Sequence, residues 1–131
     1  MEFITAEQFL KEDKEVQEVF INWWKPKIGD LFKYNYGYSN IEIINLKSIK
    51  EDVEESKYSA HIIPLLTEGQ LRQFIEDKIK TKLRIIPTNI GYRIIYLPGK
   101  GTDLIDKCYE GDLLQAYWKV AVQIAKESIK H

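Results

Sequence analysis

The chain has 131 residues, 44% hydrophobic and 30% charged, with 19 basic and 20 acidic side chains and a net charge of −1. That length suits one domain burying about two thirds of its unfolded surface, and the composition is that of a globular rather than a disordered chain. The charge balance counts against a counterion-releasing nucleic-acid binder without excluding it, no apolar run reaches the roughly 20 residues of a membrane span, and the lone Cys108 excludes an intramolecular disulfide or a multi-cysteine zinc site.

Met1-Glu2-Phe3 leads straight into an acidic helical pattern, unlike a signal peptide, so a cytoplasmic location is expected. Thr5-Ala6-Glu7-Gln8 has the form of a capping box. Phe9 and Leu10 begin an apolar stripe that Val16, Val19, Phe20, Trp23 and Trp24 continue, but Asp13 would fall inside it on a straight helix. The spacing predicts a short helix from Ala6 to about Lys11, then a second one that Asp13 caps and that ends near Trp24. Pro26 stops it, because the residue before proline is pushed out of helical space. Gly29-Asp30 turns the chain into a strand over 31–36, with Phe32, Tyr34 and Tyr36 on one face. Gly37-Tyr38-Ser39-Asn40 reads as a turn and 41–47 as a returning strand, with a bulge at Ile43-Ile44. Residues 48–57, rich in Glu and Asp, read as an acidic solvated loop, and 58–63 as a third strand closed by Pro64.

Thr67-Glu68-Gly69-Gln70 is a second capping box, and Leu71, Phe74, Ile75 and Ile79 follow on helical spacing. Residues 82–86 and 92–97 form a hairpin across Pro87-Thr88-Asn89-Ile90-Gly91, and Pro98-Gly99-Lys100-Gly101-Thr102 reads as a flexible loop. The last helix, from Gly111-Asp112 through Lys130, is the centre of the pattern. Leu113, Leu114, Tyr117, Trp118, Val120, Ala121, Val122, Ile124, Ala125 and Ile129 share an arc roughly 200° wide, twice that of an ordinary surface helix. Such an arc needs cover from two sides, most simply a sheet and another helix. Glu110 and Asp112 at its start, and Lys126, Lys130 and His131 at its end, suit the helix dipole. Hairpins outnumber strand–helix alternations. The expectation is therefore one α+β domain over 1–131, an antiparallel sheet of about four or five strands packed against an N-terminal helical segment, a middle helix and the long C-terminal helix.

Few residues suggest chemistry. Gly99-Lys100-Gly101-Thr102 lacks the earlier glycine and the immediate helix of a phosphate loop. Gly91-Tyr92 with Ile94 and Tyr96 only faintly follows an RNA-recognition strand, since Arg93 and Ile94 replace the small and aromatic residues and the element order differs. His61 stands alone in an apolar strand, Cys108 lacks activating neighbours, and Asp103, Asp106, Glu110 and Asp112 lack the spacing of a calcium loop. No cofactor or metal is expected. The aromatics are the exception: Trp23 and Trp24, about 100° apart on a helix, cannot face the same way, and Tyr34, Tyr36 and Tyr38 extend a dense ladder. Core packing explains Phe32 and Tyr34; an interaction surface at Trp23, Trp24, Tyr34, Tyr36 and Tyr38 is the functional alternative.

Three blocks carry a family resemblance. They are Thr5-Ala6-Glu7-Gln8-Phe9-Leu10 with the run from Phe20-Ile21-Asn22-Trp23-Trp24 to Gly29-Asp30-Leu31, then Ile63-Pro64-Leu65-Leu66-Thr67-Glu68-Gly69-Gln70-Leu71, then Gly111-Asp112-Leu113-Leu114-Gln115-Ala116-Tyr117-Trp118-Lys119. Together they resemble small uncharacterised proteins encoded by phages and prophages of Gram-positive bacteria. The blocks span roughly a third of the chain. Members of that family often carry proline where Glu12 or Asp13 stands here, which bears on the helix break. The resemblance implies an accessory product of a phage gene cluster, made in the bacterial cytoplasm, and assigns no activity and no functional residue. The expected function is binding of a host or phage protein without catalysis, with self-association an option. A nucleic-acid-associated factor using the aromatics with Lys33, Lys47, Lys50 and Arg93 is the alternative, and an enzyme with an unrecognised site the third.

Overall fold

Thr5 and Thr67 each open a helix by the same reciprocal device: the threonine hydroxyl accepts the N–H of the residue three further on, and that glutamine returns to the threonine N–H. Both boxes satisfy amides that a helix start otherwise leaves unpaired. The computed structural model describes residues 2–36, 40–59, 61–97 and 103–129. The fold is α+β with antiparallel strands, and its internal contacts gather into two compact units, residues 3–66 and residues 67–131 with the first two residues. The strands divide into two sheets of three rather than joining in one of four or five.

In the N-terminal unit, α1 (Ala6–Leu10) and α2 (Lys14–Trp23) are separated where Asp13 predicted a break. Asp13 occupies the N-cap position, but its side chain makes no capping bond. The break is held instead by Gln17, whose amide donates to the Glu12 carbonyl at 2.8 Å. Phe9 and Phe20, with ring centroids 6.4 Å apart, close the two helices on each other. Trp24 leaves helical space with ψ of 121° and is buried at 2% exposure. Gly29, at φ of +99°, makes the turn that a side chain would strain. β1 (Leu31–Tyr34) then runs between β2 (Glu42–Ile43) and β3 (Ile62–Pro64), antiparallel to both.

Three expectations need correction here. The predicted strand over 41–47 shortens to two residues, because Ile44 turns inward to 0% exposure while Ile43 stays 51% exposed. The acidic stretch is no loop: α3 (Lys47–Ser56) is a helix, pinned by Val53 and followed by a 3-10 turn over Lys57–Ser59. Its acidic side chains are the solvated face and its spacing of Ile49 and Val53 is the helical one. The third strand accordingly begins only at Ile62 and includes Pro64, which sits at an edge where a missing N–H is tolerated. The Gly37, Tyr38 and Ser39 part of the expected turn lies outside the described residues.

In the C-terminal unit, α4 (Glu68–Ile79) precedes the sheet of β4 (Arg84–Pro87), β5 (Gly91–Tyr96) and β6 (Ile105–Glu110), and α5 (Leu113–Ile129) ends it. α5 packs on α4 and on β5, the helix and the sheet its wide apolar arc required. Leu114, Tyr117, Trp118, Val120, Ala121, Val122, Ile124 and Ala125 are buried as expected and Ala116 joins them, while Leu113 and Ile129, at the helix ends, are only half-buried. Asp112 caps it, accepting the Gln115 N–H at 2.8 Å. β6 replaces the expected cluster of carboxylates. Asp106, on the neighbouring strand opposite Ile95, lies diagonal to Arg93, whose Nε donates to it at 2.7 Å. That bond and charge hold the Asp106 carboxyl below its usual range. Gly91 accepts β6 so closely that a Cβ there would meet the Tyr109 carbonyl at 1.9 Å. The loop over 98–102 and the last two residues lie outside the described residues.

Glu76 ties the end of α4 to the approach of β4. Its side chain is only 9% exposed, and it accepts the Leu83 N–H at 2.9 Å, with Arg72 at 3.4 Å and Lys82 at 3.6 Å. Burial pushes its carboxyl up, but the Leu83 bond and the two cations outweigh that, and the net direction is down.

Two predictions follow from this packing. Trp118→Ala and Leu114→Ala should each cost about 2–5 kcal/mol in urea denaturation, while Lys119→Ala on the exposed face should stay within about ±0.5 kcal/mol; equal costs would refute the assignment of faces. Glu76 has a folded pKa below its unfolded one, so its contribution is complete above the ordinary carboxylate range and fades as pH falls through the folded value. Glu76→Gln should therefore lose about 1–3 kcal/mol at neutral pH and flatten the acid side of the stability profile. An unchanged profile would show that the carboxylate does not supply the effect.

Candidate functional site

Among the described candidate aromatics, Tyr34 and Tyr36 pack together, whereas Trp24 is buried in the core. Trp24 belongs to the core, where its indole N–H donates to Asp30 at 3.1 Å; the same carboxylate accepts the Lys27 N–H at 3.0 Å. Thus Trp24, not its neighbour, closes the helix end over the turn, and Trp23 is half-buried. Neither tryptophan borders a cavity described below. The ladder on β1 grades from core to surface. Phe32 is buried, Tyr34 meets it edge-on at 5.3 Å and is half-buried, and Tyr36 packs on Tyr34 at 5.4 Å with 59% exposure. His61 stands edge-on to Tyr36 at 5.6 Å and is exposed, so it caps the ladder instead of lying within a strand. Burial raises the Tyr34 phenol above its ordinary value, and Tyr36, Glu42 and Asp52 add to the push, which keeps it protonated at neutral pH. Tyr38 lies outside the described residues.

Beside the ladder is a cleft of about 670 Å³. Its pattern follows from strand pairing. Lys33 faces Ile63 across β1 and β3, so the two side chains share a face of the sheet. Both line the cleft, together with Ala6, Glu7 and Leu10 of α1 and with Ile41. Tyr36, at 59% exposure, Ile41 at 53% and Leu10 at 41% are its accessible apolar groups, and Asn35 and Asn40 bring amides to it. Leu10 and Ile41 were invisible as site residues in the sequence, because each reads as the end of an apolar stripe that ought to be covered.

A second cavity, of about 370 Å³, lies against α1 and α2 and shares Leu10, Asn35 and Ile63 with the first. Lys57 lines it, is only 4% exposed, and donates from Nζ to the Trp24 carbonyl at the end of α2. The ammonium also sits 4.8 Å from the centroid of the Tyr58 ring, itself part of the lining. The one signal for Lys57 in the sequence was its place four residues after Val53, which in turn follows Ile49 by four.

Among the described residues, no group of three His, Cys, Asp or Glu side chains is placed to hold a metal ion, and no helix is long and apolar enough to cross a membrane. Cys108 is exposed on β6. The titratable side chains bordering the larger cleft are Glu7, Lys33, Tyr34 and Tyr36, a set suited to contact and hydrogen bonding. Comparison with protein-family models, with curated proteins and with solved structures finds no match to this chain.

Proposed function

We propose that this chain acts by binding, without catalysis, and that its partner is an extended protein segment held in the cleft beside α1. The observation that carries the reading is the grouping of exposed Tyr36, Leu10 and Ile41 around one concavity that also presents the Asn35 amide. Apolar and aromatic side chains around a concavity supply burial on binding, and side-chain amides match the donors and acceptors of a peptide backbone. The resemblance to phage and prophage proteins supports a partner from the host or the phage, met in the bacterial cytoplasm. Trp23 and Trp24 take no part in this surface.

Lys33 beside Tyr36 favours single-stranded nucleic acid as the second reading, through stacking with one cation. Arg93 offers it nothing, being already engaged with Asp106.

Selection from a displayed-peptide library on the immobilised chain should enrich segments with alternating apolar side chains. Tyr36→Ser and Leu10→Ser should each weaken the selected peptide by about tenfold or more, as truncated interface anchors do, while stability stays within about ±0.5 kcal/mol. Peptide binding indifferent to both substitutions would move the site elsewhere. Binding of an oligonucleotide that falls steeply between about 50 and 200 mM salt, with no peptide enriched, would replace the first reading by the second.

A further inference from the structure

Lys57 is the most deeply buried charge of the N-terminal unit, and helical spacing explains how it came inside. Ile49, Val53 and Lys57 follow one another at intervals of four, so the face that anchors α3 carries the lysine inward with it. An ammonium has three N–H groups. One is accepted by the Trp24 carbonyl, and the Tyr58 ring offers its face to the charge. Among the described residues, no carboxylate lies within ion-pair distance of it, the ion pairs being Arg72–Glu76, Lys82–Glu76 and Arg93–Asp106. A buried charge is ordinarily paired. This one borders a cavity instead.

The local field limits what the cavity suits. The Trp24 carbonyl belongs to the C-terminal end of α2, where a helix presents about half a negative charge. It offsets part of the lysine's charge, and the exposed lining residues Lys14 and Glu18 bring one charge of each sign. What remains is a fraction of one positive charge, suited to a monoanion and ill-suited to a dianion such as phosphate, which is better served by helix N-termini and arginine forks. The rest of the lining divides cleanly. Asn22 and Asn35 supply amide donors, and the buried side chains of Phe9, Ile21 and Ile62 supply an apolar wall. At about 370 Å³ the space lies at the small end of ligand pockets.

We infer that the Lys57 cavity is a site for an organic monocarboxylate with a short apolar body, its charge beside Lys57 and its body against Phe9, Ile21 and Ile62. The carboxylate is that of a free small acid or of a peptide's C-terminus; the chemistry is shared. The site does not depend on Tyr36 or on the peptide cleft, so either reading can fail alone.

Sodium hexanoate titrated into the full chain, followed by the side-chain amide signals of Asn22 and Asn35, tests it. Hexanoate should bind saturably at millimolar concentration or below and shift both signals. Hexanamide, equal in shape and uncharged, should bind about tenfold more weakly or worse, and inorganic phosphate should leave the signals in place. Lys57→Gln should abolish hexanoate binding, and Tyr36→Ser should not affect it. Should Lys57→Gln fail to fold, Ile21→Trp keeps the lysine and fills the cavity, and must abolish binding too. An acetylated dipeptide ending in leucine, compared with its amide, separates the sources: tighter binding of the peptide acid than of hexanoate assigns the site to a chain terminus, the reverse to a free acid. Absence of hexanoate binding to the folded chain, or equal binding of hexanamide, overturns the inference and leaves Lys57 as a cap on α2 alone.

Discussion

The N-terminal unit depends on how α2 ends. At Trp24 the chain leaves the helix, and three separate bonds converge on that residue. Its N–H closes the last helical turn on Phe20, its indole reaches Asp30, and its carbonyl receives Lys57. The first holds the helix, the second sets the turn that starts β1, and the third draws in the 3-10 turn that precedes β3. Because the indole is also buried, none of the three exchanges easily with water, and a buried polar group without its partner is costly.

The C-terminal unit solves a different problem. An arc as wide as that of α5 cannot be covered by one neighbour, so α4 and β5 share it, and the unit is organised as two layers around a helix. Here polar groups serve alignment. Glu76 fixes the α4 end to the following chain, and Arg93 with Asp106 ties β5 diagonally to β6. The Tyr96 phenol, raised by burial to about 12, stays protonated against that core. No described cavity is lined by this unit's residues among the two considered.

The character of the two cavities differs. The larger is bordered by exposed apolar side chains, Tyr36, Ile41 and Leu10. The smaller brings the buried Lys57 among both polar and apolar side chains. The two meet at Leu10, Asn35 and Ile63.

Local chemistry was enough to determine several features from the sequence. The two Thr-to-Gln capping boxes, the break before α2, the hairpin of β4 with β5, and the buried face of α5 all arise from residues within a few positions of each other, where spacing and side-chain type decide the outcome. What the sequence could not decide was which apolar groups find cover. Trp24 and Leu10 look alike as stripe residues, yet one is buried and the other is 41% exposed, because cover comes from strands and turns distant in sequence. α3 was hidden by its charges, and β6 by its carboxylates, of which Asp106 has its partner, Arg93, thirteen residues back on another strand. Lys57 is the clearest case. Its type says solvent, but a helical repeat set by Ile49 and Val53 and an acceptor thirty-three residues away at Trp24 place it inside. Only tertiary contact can decide that, since burial is a property of neighbours and not of the residue itself.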